Sequence, residues 1–211
     1  MKRIALFMVI GLTLSSAGRT QSVFPRQDIP AGPRGPVIGN TLFFNGWVKA
    51  KVISRNAFFR NDSMYLFDFD KASQDLLATA DKETIYKINK REFESVTFYS
   101  GASTFTFGHV PAINDRNLFL EIIKNDDKYS LYVLIHNEIR GNAYIDWYTY
   151  YILFPFPDTR AVKLNVLDKK LLDHAFELSS DRQKVDAYYS LHDKETHNEY
   201  FLKKLIEYLN E

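Results

Sequence analysis

The segment from Tyr65 to Tyr99, YLFDFDKASQDLLATADKETIYKINKREFESVTFYS, restricts what this chain can become. Apolar residues recur at every second position in four short runs, and a period of two belongs to strands with one buried face. Tyr65, Phe67 and Phe69 share one side of the first run against Leu66 and Asp68. Leu76, Ala78 and Ala80 oppose Leu77 and Thr79 in the second, Tyr86 and Ile88 mark the third, and Val96 and Phe98 lie opposite Thr97 in the fourth. Asp70–Ser73, Asp81–Glu83 and Asn89–Arg91 supply turn residues between the runs, and no proline interrupts them. Short antiparallel connections are the simplest topology, so a consecutive β-meander is expected.

The same alternation appears on both sides. Val48, Ala50 and Val52 oppose Trp47, Lys49 and Lys51, which gives a first strand with one wet face. After a turn opened by Gly101, strands are expected over 104–109, 118–124, 129–140, 147–154 and 161–166, with Asn125-Asp126-Asp127 as a hairpin connection. At Asp168 the period changes to about 3.6. Leu171, Leu172, Ala175 and Phe176 form one stripe, Val185, Tyr188 and Tyr189 a second, and Phe201, Leu202, Leu205, Ile206 and Leu209 a third. Ser180 with Gln183 and Thr196 with Glu199 have capping-box spacing. The expected fold is α+β: an antiparallel β-meander, as a curved sheet or partly closed barrel, with two to three C-terminal helices packed on it.

The N-terminus reads differently. Lys2 and Arg3 precede an uncharged run from Ile4 to Leu14, then Ser15, Ser16, Ala17 and Gly18. That is the order of a secretory signal peptide, and the run is too short for a membrane span of about 20 residues. Residues 19–42, rich in Pro and Gly, are expected to be an extended linker, leaving 43–211 as one domain. The chain has no cysteine, which excludes disulfides, thiolate chemistry and a lipidated cysteine, so an exported, periplasmic or secreted protein that is not a lipoprotein is expected. A formal net charge of +1 argues against a nucleic-acid surface.

FDFDKASQDLLATADKETIYKINKREFESVTFY, with NGWVKAKVI before it and DDKYSLYVLI after, resembles a group of uncharacterised exported proteins of Bacteroidota-type bacteria. The likeness is densest from Asn45 to Tyr99 and from Asp126 to Ile135. It implies location and architecture, and no catalytic motif comes with it.

Motifs for chemistry are sparse. Asp68, Asp70 and Asp75 lack the Gly and the terminal Glu of a calcium loop, with Ser73 and Thr79 in those places. A turn in which Asp70 and Ser73 bond the local backbone is the ordinary explanation. His109, His136, His174, His192 and His197 contain no zinc-type pair; His192 and His197 could approach one another, but a third ligand would have to be Asp193 or Glu195, and no metal site is assigned. Gly101-Ala102-Ser103 is not a nucleophile elbow, and phosphate or dinucleotide loops are missing, so no cofactor is expected.

One compositional feature points to function. Aromatic residues make up 15% of the chain, more than a core of this size needs, so some are expected at the surface. Tyr144, Trp147, Tyr148, Tyr150 and Tyr151 concentrate them at and just before the expected strand 147–154, in which Trp147 and Tyr151 share one face and Tyr148 and Tyr150 the other. These five residues are the candidate ligand-binding set, and a strand buried on both faces is the competing structural explanation. The reading is a non-catalytic binding or interaction module with a carbohydrate or envelope-protein partner. A hydrolase using dispersed carboxylates and a carrier of small apolar ligands are the alternatives.

Overall fold

The computed structural model describes residues 40–54, 64–88, 93–113, 118–155 and 160–211. Ten strands precede three helices: β1 (Lys49–Ser54), β2 (Leu66–Asp70), β3 (Asp75–Thr79), β4 (Tyr86–Ile88), β5 (Phe93–Ser100), β6 (Ser103–Gly108), β7 (Leu120–Lys124), β8 (Ser130–Arg140), β9 (Ala143–Leu153) and β10 (Ala161–Leu164). A large antiparallel sheet runs β1-β5-β6-β7-β8-β9-β10, and β2-β3-β4 form a second sheet. The expected signal peptide, the linker up to residue 39 and the Asn89–Arg91 turn lie outside the described residues.

The expected meander divides in two. Its first three runs make the small sheet, while β5 pairs with β1 on one side and β6 on the other. The register explains why: Ala50 faces Phe98 and Val52 faces Val96, so β1 extends the apolar face that β5 already presents. A three-residue β4 cannot match that six-residue ladder. The large sheet is open, with β1 and β10 at its edges, so the partly closed barrel is not formed.

What closes the core is a pair of covers on one face of the large sheet, called here the inner face. Over β1, β5 and β6 lie the small sheet and residues 41–48; Phe69 packs on Phe107, and Phe43 and Phe44 set their rings against Phe98, Phe105 and Phe107. Over β7–β10 lie the helices, through Tyr129, Phe154 and Phe176 and the buried stripe of α3. Residues 41 and 42, at the end of the expected linker, are tied to the small sheet: the Thr41 carbonyl accepts the Lys71 amide at 2.8 Å, and Leu42 is bridged to Asp70. Asp68 staples this segment. Fully buried, its Oδ1 accepts the amides of Phe44 at 3.1 Å and Phe69 at 2.7 Å. Burial pushes its pKa up, and the surrounding amides only partly offset that.

The helices are α1 (Lys169–Phe176), α2 (Arg182–Leu191) and α3 (Glu199–Asn210). Each expected stripe is buried except for Leu171 in α1, which is exposed. The capping boxes do not form. Asp181 precedes α2 without capping it, because its carboxylate holds the Tyr129 hydroxyl at 2.9 Å and Lys128 Nζ at 3.1 Å. Asn198, rather than Thr196, caps α3 by accepting the Phe201 amide at 3.0 Å. Glu199 is thereby released from a capping role and reaches the sheet. At the other end of α3, the Asn210 side chain exchanges two hydrogen bonds with the backbone of Tyr129.

Candidate functional site

Strands β8 and β9 are the longest among the described residues, at eleven residues each. β7 pairs with β8 only over Leu131–Val133, and β10 pairs with β9 only over Tyr150–Leu153. From Leu134↔Thr149 to Arg140↔Ala143 the two strands, among the described residues, pair only with each other, a two-stranded ribbon about 20 Å long at roughly 3.3 Å per residue. Gly141, at φ +60°, takes the first central position of the closing turn, where L side chains are strained.

The ribbon carries the aromatic set unevenly. The faces are as expected from alternation, with Tyr148 and Tyr150 inward and Trp147 and Tyr151 outward, yet burial follows position along the strand. Tyr150 and Tyr151 lie in the body and are buried, at 8% and 7% exposure, in two different clusters. Tyr148 is 41% exposed on the ribbon, while Tyr144 and Trp147 are half-buried. Ile139 and Ile145 are exposed near the tip, and Arg140 lies 4.1 Å over the Trp147 ring.

On the inner face the β2–β3 turn reaches the base of the ribbon. Lys71 Nζ donates to Asp146 Oδ2 at 2.8 Å, and Asn137 Nδ2 donates to Asp146 Oδ1 at 2.7 Å. Burial raises the Asp146 pKa, but these two donors and the Lys71 charge outweigh it and hold the carboxyl below its ordinary value. Gln74 Nε2 donates to the Lys71 carbonyl at 2.9 Å and to the Ile135 carbonyl at 2.6 Å. The tip of this turn is shaped by Asp70, which accepts the amides of Ala72 and Ser73 as an Asx-type turn. Nothing there gathers the ligands of a calcium loop: Asp68 faces the amides of Phe44 and Phe69, and Asp75 pairs with Lys87.

Toward the body, Tyr150 hydroxyl donates to Glu199 Oε2 at 3.2 Å. Glu121 of β7 is close enough to feel Glu199 and Lys203, between the buried Phe107 and Val133 in the ladder. Burial first, then the Glu199 charge, push its pKa up to about 7, with Lys203 opposing. Burial first, then the charges of Asp146, Glu199 and Glu121, raise the Tyr148 pKa, and burial followed by Glu199 raises that of Tyr150. The inner face thus carries convergent acids beside the aromatic ribbon.

The histidines are dispersed. His136 is the cross-strand partner of Trp147, His174 and His192 pair with Glu177 and Glu195, and His197 packs edge-on against Phe201. His192 stacks on Tyr188 while His197 meets Tyr189, so the two are not joined in one site. Among the described residues no group of three His, Asp or Glu converges as metal ligands, and no helix is long and apolar enough to cross a membrane.

Reading by residue type missed Lys71, Gln74, Glu121, Asn137, Asp146 and Glu199. A signal existed for two of them. Along the inward positions of β8, Leu131, Val133 and Ile135 lead to Asn137, and along β9 Ile152, Tyr150 and Tyr148 lead to Asp146, so a polar pair breaks an otherwise apolar face at one level. No protein-family model, curated protein or solved structure matches this chain.

Proposed function

We propose that the protein is an exported, non-catalytic binding module whose contact element is the β8–β9 ribbon. The observation that carries this reading is the placement of Ile139, Ile145 and Tyr148 as exposed side chains on a two-stranded projection that, among the described residues, no other strand pairs with. Apolar groups there contribute nothing to the core, whereas a contact surface needs them. Unpaired strand edges also offer backbone donors and acceptors to a ligand. Shortening the ribbon tests this: Glu138–Ile145 is replaced by Asn-Gly, a two-residue turn joining Asn137 to Asp146. The purified protein should co-sediment with insoluble envelope polymers, and the shortened variant should remain in the supernatant with nearly the same melting temperature. Equal sedimentation of both would remove the ribbon from the function.

A hydrolase is the second reading, favoured by the raised pKa of Glu121 beside Glu199 and Tyr150. A proton-bearing carboxyl near a second carboxylate is the pairing used for general acid and base work. Hydrolysis of chromogenic glycosides by the wild type, abolished in Glu121→Gln, is the result it requires. The apolar-ligand carrier depended on a closed barrel, and the open sheet removes that support.

A further inference from the structure

We propose that the groove between α2 and α3 binds an aliphatic amine in its ammonium form, a diamine or polyamine, seated on the Tyr188 hydroxyl, Glu195 and the rings beside them. This site lies on the helices and does not depend on the ribbon. The groove holds about 290 Å³, close to the lower end of small-ligand sites. Positions 200, 204, 207, 208 and 211 recur at helical spacing, so one stripe of α3 forms one wall. Tyr188 and His192, one turn apart at the end of α2, form the other, and Glu195 joins them from the connection to α3. Tyr188 is the residue that asks for a ligand. It is 5% exposed, and its hydroxyl makes no hydrogen bond among the described residues. Its ring is held by stacking on His192 at 4.2 Å and by contacts with Phe201 and Tyr208 at 5.4 and 5.3 Å. The charges that reach it, Glu195, Lys204 and Glu207, all line the groove, so the hydroxyl is aimed into it. An unpaired hydroxyl on a side chain so deeply buried is costly, and an N–H donor from a ligand would satisfy its oxygen.

Charge selects a cation. Glu195, Glu207 and Glu211 set three carboxylates in the walls against one ammonium, Lys204, although the chain as a whole carries +1. Lys204 is paired with Glu207 at 2.8 Å, and Lys203 and Lys124 reach that carboxylate from outside the groove. Glu195 is left for the ligand: Oε1 takes His192 Nδ1 at 2.7 Å, and Oε2 is open to a further donor beside Tyr188. The rings select an aliphatic amine over a metal ion. Lys204 Nζ lies 5.8 Å over Tyr200, so the groove already holds one alkylammonium against an aromatic face. A chain amine would lay its methylene groups along Tyr200 and Tyr208 while its ammonium donates to Tyr188 and Glu195. A metal ion would leave those rings uncovered, and among the described residues no three acids converge on one point.

The test is titration calorimetry of the purified protein at low salt, where exposed charges are least screened, with putrescine and spermidine. Butanediol serves as the uncharged match, tetramethylammonium as a cation without N–H donors, and succinate as an anion. Spermidine should bind with a Kd below about 1 mM, and the three controls should bind at least about tenfold more weakly. Tyr188→Phe, which keeps the ring stack and removes only the hydroxyl, should weaken spermidine at least about fivefold. Glu195→Gln should weaken it about tenfold, and with its side chain 47% exposed it decides the matter if Tyr188→Phe fails to fold. Ile139→Ala, on the ribbon, should leave the affinity unchanged. No binding of either amine, equal binding of any control, or full affinity in either groove variant overturns the proposal.

Discussion

The two ends of the β8–β9 hairpin share one ladder and one composition but differ in everything around them. At the body end, residues 130–133 and 150–153 are flanked by β7 and β10 and covered on the inner face by helices, and Leu131, Val133 and Ile152 are at most 1% exposed. At the ribbon end, equally apolar residues such as Ile139 and Ile145 are 54% and 39% exposed. Side-chain alternation is the same along both, so it specifies face, and neighbours specify burial. An aromatic strand can therefore be core for half its length and contact surface for the other half.

Substitutions can break this comparison. Leu205→Ala, under the body, should cost about 3 kcal/mol in chemical denaturation, whereas Ile139→Ala should cost less than about 0.5. If the two are alike, the ribbon is part of the core. Within the aromatic set, Tyr150→Ala should cost about 2–3 kcal/mol, since it empties a buried site and strips Glu199 of its hydrogen bond. Tyr148→Ala should leave the melting temperature within a few degrees while weakening ligand retention; a large loss of stability would place Tyr148 with Tyr150.

Acidity sharpens the contrast. A carboxyl whose pKa is higher in the fold than its ordinary 4.5 favours the folded state in acid, so the Glu121 contribution is complete below 4.5 and is lost as pH rises through about 7. Between pH 5 and pH 8 the wild type should lose on the order of 2 kcal/mol that Glu121→Gln retains. Asp146 has the opposite sign. Its pKa lies below the ordinary 3.8, so its stabilisation is present above that value and disappears as pH falls through the lower folded pKa. Lys71→Ala should cost about 1 kcal/mol at neutral pH and move the onset of acid unfolding upward, as read by circular dichroism.

Much of the architecture was legible because it follows from period. Val185, Tyr188 and Tyr189 and the five-residue stripe of α3 are all buried as their spacing requires, and Phe98 and Phe107 fall on the inner face as alternation requires. Pairing partners were not legible. Nothing local to Asn89 or Phe93 records that β5 prefers β1, a strand forty residues earlier, because that choice is made by matching faces across the sheet. The caps misled too: α2 starts after Asp181 rather than Ser180, with the Asp181 carboxylate turned to Tyr129, fifty-two positions away, and Asn198 rather than Thr196 caps α3. At the candidate site the aromatic residues announced themselves by type, while Lys71 and Gln74 sit in a turn whose docking on β8 only the folded chain reveals.

The clasp between Asn210 and Tyr129 has a temporal consequence. Tyr129, with no exposed surface, is held through its backbone by the last residue of α3, and Lys128 Nζ is held by the Leu209 carbonyl beside it. During synthesis, then, strands β7–β10 leave the ribosome with their greasy side bare, and only the arrival of the final helical turn seals it. A nascent chain of this protein keeps that face open to chaperones until α3 has been made.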